Sequence, residues 1–215
     1  MEQVISAYCS IRRKQVQVNG QIKFHDENFT TFAQFIKSLY KKEEINYPKF
    51  YKMDALSKLG FLTTELTLRQ INLDLYHKDK IGVVLANAAS SLDTDITYQQ
   101  SISNRSNYFP SPSVFVYTLP NIMIGEICIK HKLNGETTFL ISEKFNSRQL
   151  FTYVTELFQH KRAEACLIGW ADLLKDHFDS LIMFIEPADK RVKPEKEGMV
   201  LPFSEETMNE LYNVM

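Results

Sequence analysis

Apolar positions along the chain change period several times, and each change marks an element. Residues 4–11 mix β-branched, aromatic and small side chains as an opening strand, and Val16, Val18, Ile22 and Phe24 alternate as a short ribbon. Asn28, Phe29 and Thr30 read as a helix start, because Phe32, Phe35, Ile36 and Leu39 follow at i, i+3, i+4, i+7 spacing. A second helical pattern, about 52–70, carries Leu56, Leu59, Leu62 and Leu66. Ile81 to Ala86 is a continuous apolar run of strand length, the kind buried on both faces of a helix-covered sheet. Past a polar stretch with a helix at 95–103 and a turn at Pro110–Pro112, Pro120 opens an almost entirely apolar helix to His131, which is expected to be buried. Gly125 inside that helix costs about 1 kcal/mol against Ala, so a close backbone approach is the expected reason for it.

A short strand at 137–141, a helix at 147–159 with Leu150, Val154 and Leu157 on one face, and strands at 163–170 and 181–185 complete the pattern. Residues 190–199 are charged and broken by proline, and a short helix follows at 204–213. Alternating helices and buried strands predict an α/β fold: a mixed, mostly parallel sheet of about five strands flanked by helices. One domain over 1–189 is expected, with 190–215 as an exposed loop and short C-terminal helix, since no Pro/Gly/Ser linker interrupts residues 60–187.

Composition agrees and narrows the functions. With 215 residues, 44% hydrophobic and 24% charged, the chain is long enough for a real core. Its 25 basic and 26 acidic residues are interleaved to a net charge of −1, which supplies no field for nucleic acid or an anionic membrane. No stretch of 18 apolar residues and no basic-then-apolar start occurs, so a cytoplasmic protein without a membrane span is expected. Cys9, Cys128 and Cys166 each sit among apolar neighbours and read as small buried hydrophobes rather than disulfides. The five histidines lie at no ligand spacing, so no metal and no cofactor is expected.

Residues 119–135, Leu119-Pro120-Asn121 through Gly125, Cys128 and Gly135, resemble the stretch that precedes the active-site cysteine of β-ketoacyl synthases. Three further pieces agree in order: Lys52-Met53-Asp54 with Glu65 beyond it, Ile81 to Leu85, and Ala165 to Asp172, which is similar to a family strand ending in Gly-Gly-x-Glu. The resemblance spans about residues 50–172 and implies a thiolase-like half, the N-terminal half of a β-ketoacyl synthase. In register with the family, the nucleophile turn falls at Ile141-Ser142-Glu143-Lys144, and the cysteine position is Lys144. Lysine forms no acyl thioester, and a cation near a helix N-terminus is disfavoured by some tenths of a kcal/mol. Ser142 and Lys144 are the substitutes: the serine needs a base that only Glu143 offers nearby, the lysine a desolvated pocket. The two histidines of the family's C-terminal half have no counterpart here.

The resemblance therefore implies a non-catalytic subunit, similar to chain-length factors, in fatty-acid-like or polyketide-like biosynthesis, including aryl-polyene pigments. Family dimers pair through the strand before the nucleophile, here Thr137, Thr138, Phe139, Leu140 and Ile141, so a homodimer or a heterodimer with a complete ketosynthase is expected. Two other classes stay open: a small acyl-transfer or thioester-hydrolysing enzyme, and a module that docks an acyl carrier protein through Lys130, Lys132 and Lys144.

Overall fold

The computed structural model describes residues 2–190 and 200–214; the expected charged loop beyond Lys190 lies outside them. Strand β1 (Gln3–Arg12) turns through Arg13 and Lys14, at φ 48° and 57°, into β2 (Gln15–Val18). Asn19 and Gly20, at φ 49° and 77°, form the two-residue turn into β3 (Gln21–His25), because only positive φ at both positions matches the twist of the ribbon. Helix α1 (Phe32–Lys42) begins later than its pattern implied. Its N-cap is Thr31, whose hydroxyl accepts from Gln34 N at 3.3 Å, while Asn28 is held in a local turn by Asp26. Helix α2 (Ala55–Leu68) is capped by Asp54, which accepts from Ser57 N at 2.9 Å.

Strand β4 (Ile81–Asn87) is buried throughout, as its unbroken apolar run requires. Then come α3 (Leu92–Ser103), the short α4 (Pro112–Phe115), α5 (Ile122–His131), β5 (Thr137–Ile141) and α6 (Ser147–Gln159). Strands β6 (Ala165–Leu174) and β7 (His177–Pro187) form a long hairpin, and β8 (Leu201–Pro202) and α7 (Glu205–Val214) close the described chain. No single described helix is long and apolar enough to cross a membrane.

The sheet runs β3-β2-β1-β7-β6-β4-β5, with β8 beside β1. Strand β4 is parallel to β5 and β6, and β7 is antiparallel to both β6 and β1. Among the five central strands, four therefore share one direction and β7 opposes them, the mixed and mostly parallel sheet that the alternation predicts; β2, β3 and β8 extend it.

Two apolar layers flank the sheet. On one face α1, α2 and α5 close over Phe35, Leu59, Phe61, Val83, Leu167 and Phe184; on the other α6 and α7 close over Ile5, Val84, Leu150, Val154, Ile168 and Trp170. Helix α2 is buried almost all round rather than along one leucine stripe. Its hydroxyls allow this: Thr63 bonds to Leu59 O at 2.8 Å and to Ser180 Oγ at 2.7 Å, and Thr67 donates to Thr63 O at 2.8 Å.

The close approach expected at Gly125 occurs instead at Gly60 on α2. A Cβ at Gly60 would lie 2.0 Å from Met123 Sδ of α5, whereas nothing stands within 4 Å of one at Gly125. Gly60→Ala must push the flexible Met123 aside, and we expect it to cost about 1–3 kcal/mol. Denaturation of the Gly60→Ala, Met123→Ala double variant checks this: coupling between the two sites is expected, and simple additivity would refute the contact. Helix α5 is also less buried than its composition implies. Met123, Ile124, Glu126 and Ile127 face the core, but Ile129 on the opposite side is 62% exposed.

Candidate functional site

The turn between β5 and α6 holds both substitute nucleophiles. Ser142 N donates to Asn87 O at 3.0 Å, which ties the turn to the end of β4, and Ser142 Oγ donates to Lys144 O at 2.9 Å. The hydroxyl is thus committed to a local backbone acceptor and not to a base. Glu143 and Lys144 are exposed, so neither activates the serine nor sits in a desolvated pocket. Asn146 caps α6 by accepting from Gln149 N at 3.0 Å, so its amide oxygen supplies what the helix N-terminus needs. None of residues 142–146 takes a positive φ, so the turn stores no strain of that kind.

Beneath it, Phe145 is buried, stacked on Tyr212 of α7 at 4.3 Å and edge-on to Trp170 at 6.3 Å. The adjacent turn from β4 into α3 is locked as firmly. Ser90, at φ 53°, donates its N–H to Asn87 Oδ1 at 3.0 Å, and Asp172 Oδ1 accepts from Ala88 N and Ala89 N at 3.0 and 2.8 Å. Sequence reasoning took Asp172 only as the end of a family-like strand. Its role as acceptor for a neighbouring strand end depends on pairings between β4 and β6 that no local pattern carries.

The cysteines offer no replacement. Burial pushes the Cys128 thiol up to about 11 and the Cys166 thiol up to about 12, and it raises Cys9 well above its ordinary value, with Glu43 adding to the effect. Each stays a neutral thiol near pH 7. The lysines Lys130, Lys132 and Lys144 do not form one cluster. Lys130 turns onto the Tyr47 ring at 5.2 Å and Lys132 caps α5 at φ 57°, both before β5, while Lys144 lies beyond its other end. Among the described residues no group of three or more His, Cys, Asp or Glu could hold a metal ion.

The remaining feature is the flank of β5. This strand is a free edge of the sheet, half-buried at Thr138, Phe139 and Leu140, with Ile141 at 53% exposure. Between it and α5 runs a groove of about 600 Å³ lined by Ile122, Gly125, Cys128, Phe139 and Ile141 among others. Leu119 and Phe115, each 58% exposed, belong to the segments leading into α5. The strand was foreseen; the groove was not, because it depends on which side of an apolar helix meets the core.

No protein-family model matches the sequence, and no curated protein matches it. Solved structures do: the arrangement is that of the thiolase-like α/β class, and within it the ketosynthase type. The ishigamide ketosynthase/chain length factor superposes at a TM-score of 0.68 with 14% identity, over 90% of this chain and 64% of that one. A ketosynthase in complex with its chain length factor from Xenorhabdus doucetiae superposes at 0.59 with 12% identity, over 100% of this chain and 91% of that one. The structure of a type II polyketide synthase acyl-carrier protein in complex with its ketosynthase gives 0.60 at 12% identity, over 87% of this chain and 63% of that one. The chain thus spans somewhat under two thirds of the length of two of these three.

Proposed function

We propose that the protein is a non-catalytic, ketosynthase-like accessory subunit, chain-length-factor-like, that acts by pairing through the β5 edge in fatty-acid-like or polyketide-type biosynthesis. The observation that carries this reading is the contrast between the two ends of the sheet. Strand β3, one edge, bears Lys23 and His25 and resists pairing by charge; β5, Thr-Thr-Phe-Leu-Ile, carries no charge, proline or bulge. An uncharged, half-apolar edge of this kind is a template for a second strand. The partner is a second ketosynthase-like chain, either a copy or a complete ketosynthase, and the compartment is the cytoplasm. Silence of the chemistry is supported by Lys144 at the position matched to the cysteine, by the Ser142 hydroxyl bonded to Lys144 O, and by thiols held neutral by burial.

Light scattering tests the pairing, on the protein alone and mixed with a ketosynthase encoded in its genomic neighbourhood. A dimer or a one-to-one complex is expected; a monomer in both samples overturns the reading. For the chemistry, acyl-thioester turnover is expected to stay at the uncatalysed rate in the wild type, in Ser142→Ala and in Lys144→Ala. A rate that either substitution abolishes would establish the enzyme class instead.

A further inference from the structure

A glycine inside a helix is destabilising by roughly 1 kcal/mol relative to Ala and is tolerated where something must come close to the backbone. At Gly60 that something is Met123. At Gly125 nothing within the chain comes within 4 Å of where a Cβ would stand. The missing side chain leaves a socket that this chain does not fill. One turn further on, Ile129 projects from the same side of α5 and is 62% exposed, since positions i and i+4 share a helix face. Socket and knob are therefore about 6 Å apart along one helix.

We infer that the socket is filled by Ile129 of a second copy of this chain, and reciprocally, so that two α5 helices pack antiparallel about a twofold axis midway between Gly125 and Ile129. A twofold demands such self-complementarity: if residue i of one copy meets residue j of the other, j meets i. It also places each charge on the paired face near its own duplicate, so that face should be uncharged. It is: Asn121, Ile122, Gly125, Cys128 and Ile129 form the outer side of α5. Glu126 points inward to Lys49 at 2.9 Å and Tyr117 Oη at 3.0 Å, and Lys130 is drawn onto Tyr47. The groove supplies continuity, because Gly125 and Phe139 line it together, so an axis through Phe139 that pairs β5 with its duplicate runs beside the helices. In that register Thr137 faces Ile141, Thr138 faces Leu140 and Phe139 faces itself, again with no like charges opposed. The inference rests on the pairing role of β5 and commits it to a second copy rather than a different chain.

Sedimentation velocity over a concentration series tests it on the wild type, Gly125→Leu, Ile129→Ala and Phe139→Lys. Gly125→Leu fills open space and improves helix propensity, so the monomer stays folded while self-association weakens about 10 to 100-fold. A crosslink gives the register. With Cys128→Ser in both, a Gly125→Cys chain mixed with an Ile129→Cys chain of different mass is expected to form a disulfide under mild oxidant, because the paired Cβ atoms meet, and neither sample alone should match its yield. A wild type that stays monomeric yet joins a ketosynthase overturns the self-pairing and leaves the pairing role intact. A dimer sensitive to Phe139→Lys but indifferent to Gly125→Leu, with no crosslink, overturns the socket alone. A dimer indifferent to all three substitutions removes both.

Discussion

Gly169→Ala is expected to destabilise the protein by about 3–5 kcal/mol, the largest single loss in the sheet, by forcing backbone against backbone. Gly169 lies in the middle of β6, paired with Ile182 in the antiparallel β6–β7 ladder, at φ 156°. A Cβ there would stand 2.1 Å from Leu181 O and 2.9 Å from Ile182 Cα. Neither atom belongs to a side chain that can rotate away, and the β7 residues concerned are fully buried. Relief requires β7 to shift along a stretch packed on both faces, which spreads the cost into both apolar layers. Urea unfolding should show the midpoint falling by roughly 1 to 3 M at unchanged slope, or the variant should fail to accumulate folded. A loss below about 0.5 kcal/mol would refute this account. Gly125→Ala is the internal control: with open space around it, the same change in α5 is expected to leave stability equal or slightly raised.

These two glycines show where local pattern suffices and where it stops. Strand 137–141 and helix 147–159 agree with the structure at both ends, because β-branched and 3.6-residue periods change abruptly there and Asn146 caps the helix. Strand β7 was read only over 181–185, since Asp179 and Ser180 interrupt the apolar run. Both are strand residues whose polar atoms are satisfied at a distance, Ser180 by Thr63 and Asp179 by Arg12. The nucleophile turn was located through the family resemblance, yet the reasons for its inertness, an Oγ bonded to Lys144 O and an exposed lysine, belong to tertiary geometry. The groove was invisible for the same reason: an apolar helix gives no sign of which side meets the core, so Ile129 read as buried and Gly125 as crowded.

Arg12→Ala is expected to cost about 2–3 kcal/mol and to release the last turn of α7 from the sheet. The Arg12 guanidinium pairs with Asp179 at 2.8 Å, donates to Tyr212 O at 2.6 Å and lies 4.5 Å from the centre of the Tyr212 ring. Tyr212 in turn donates its hydroxyl to Asp179 and stacks on Phe145. One arginine at the end of β1 thus joins β7, α7 and the turn before α6. Its removal leaves the Asp179 carboxylate, 29% exposed, facing only a phenol, which is why the cost falls below the roughly 3–5 kcal/mol of a fully buried broken pair. Hydrogen exchange should separate this from general loosening: amides of residues 208–214 exchange faster, while those of β4 and β6 keep their protection. The same latch sets a pH limit. Burial first, and Asp179 second, hold the Tyr212 hydroxyl protonated above its ordinary range. With the folded value raised, the contribution is complete below the unfolded tyrosine value of about 10 and is lost as pH climbs from there through the folded one. Wild-type stability should therefore fall above pH about 10 more steeply than that of Tyr212→Phe, which keeps the stack but has no proton to lose. Equal slopes for the two proteins would show that the hydroxyl bears no part of the latch.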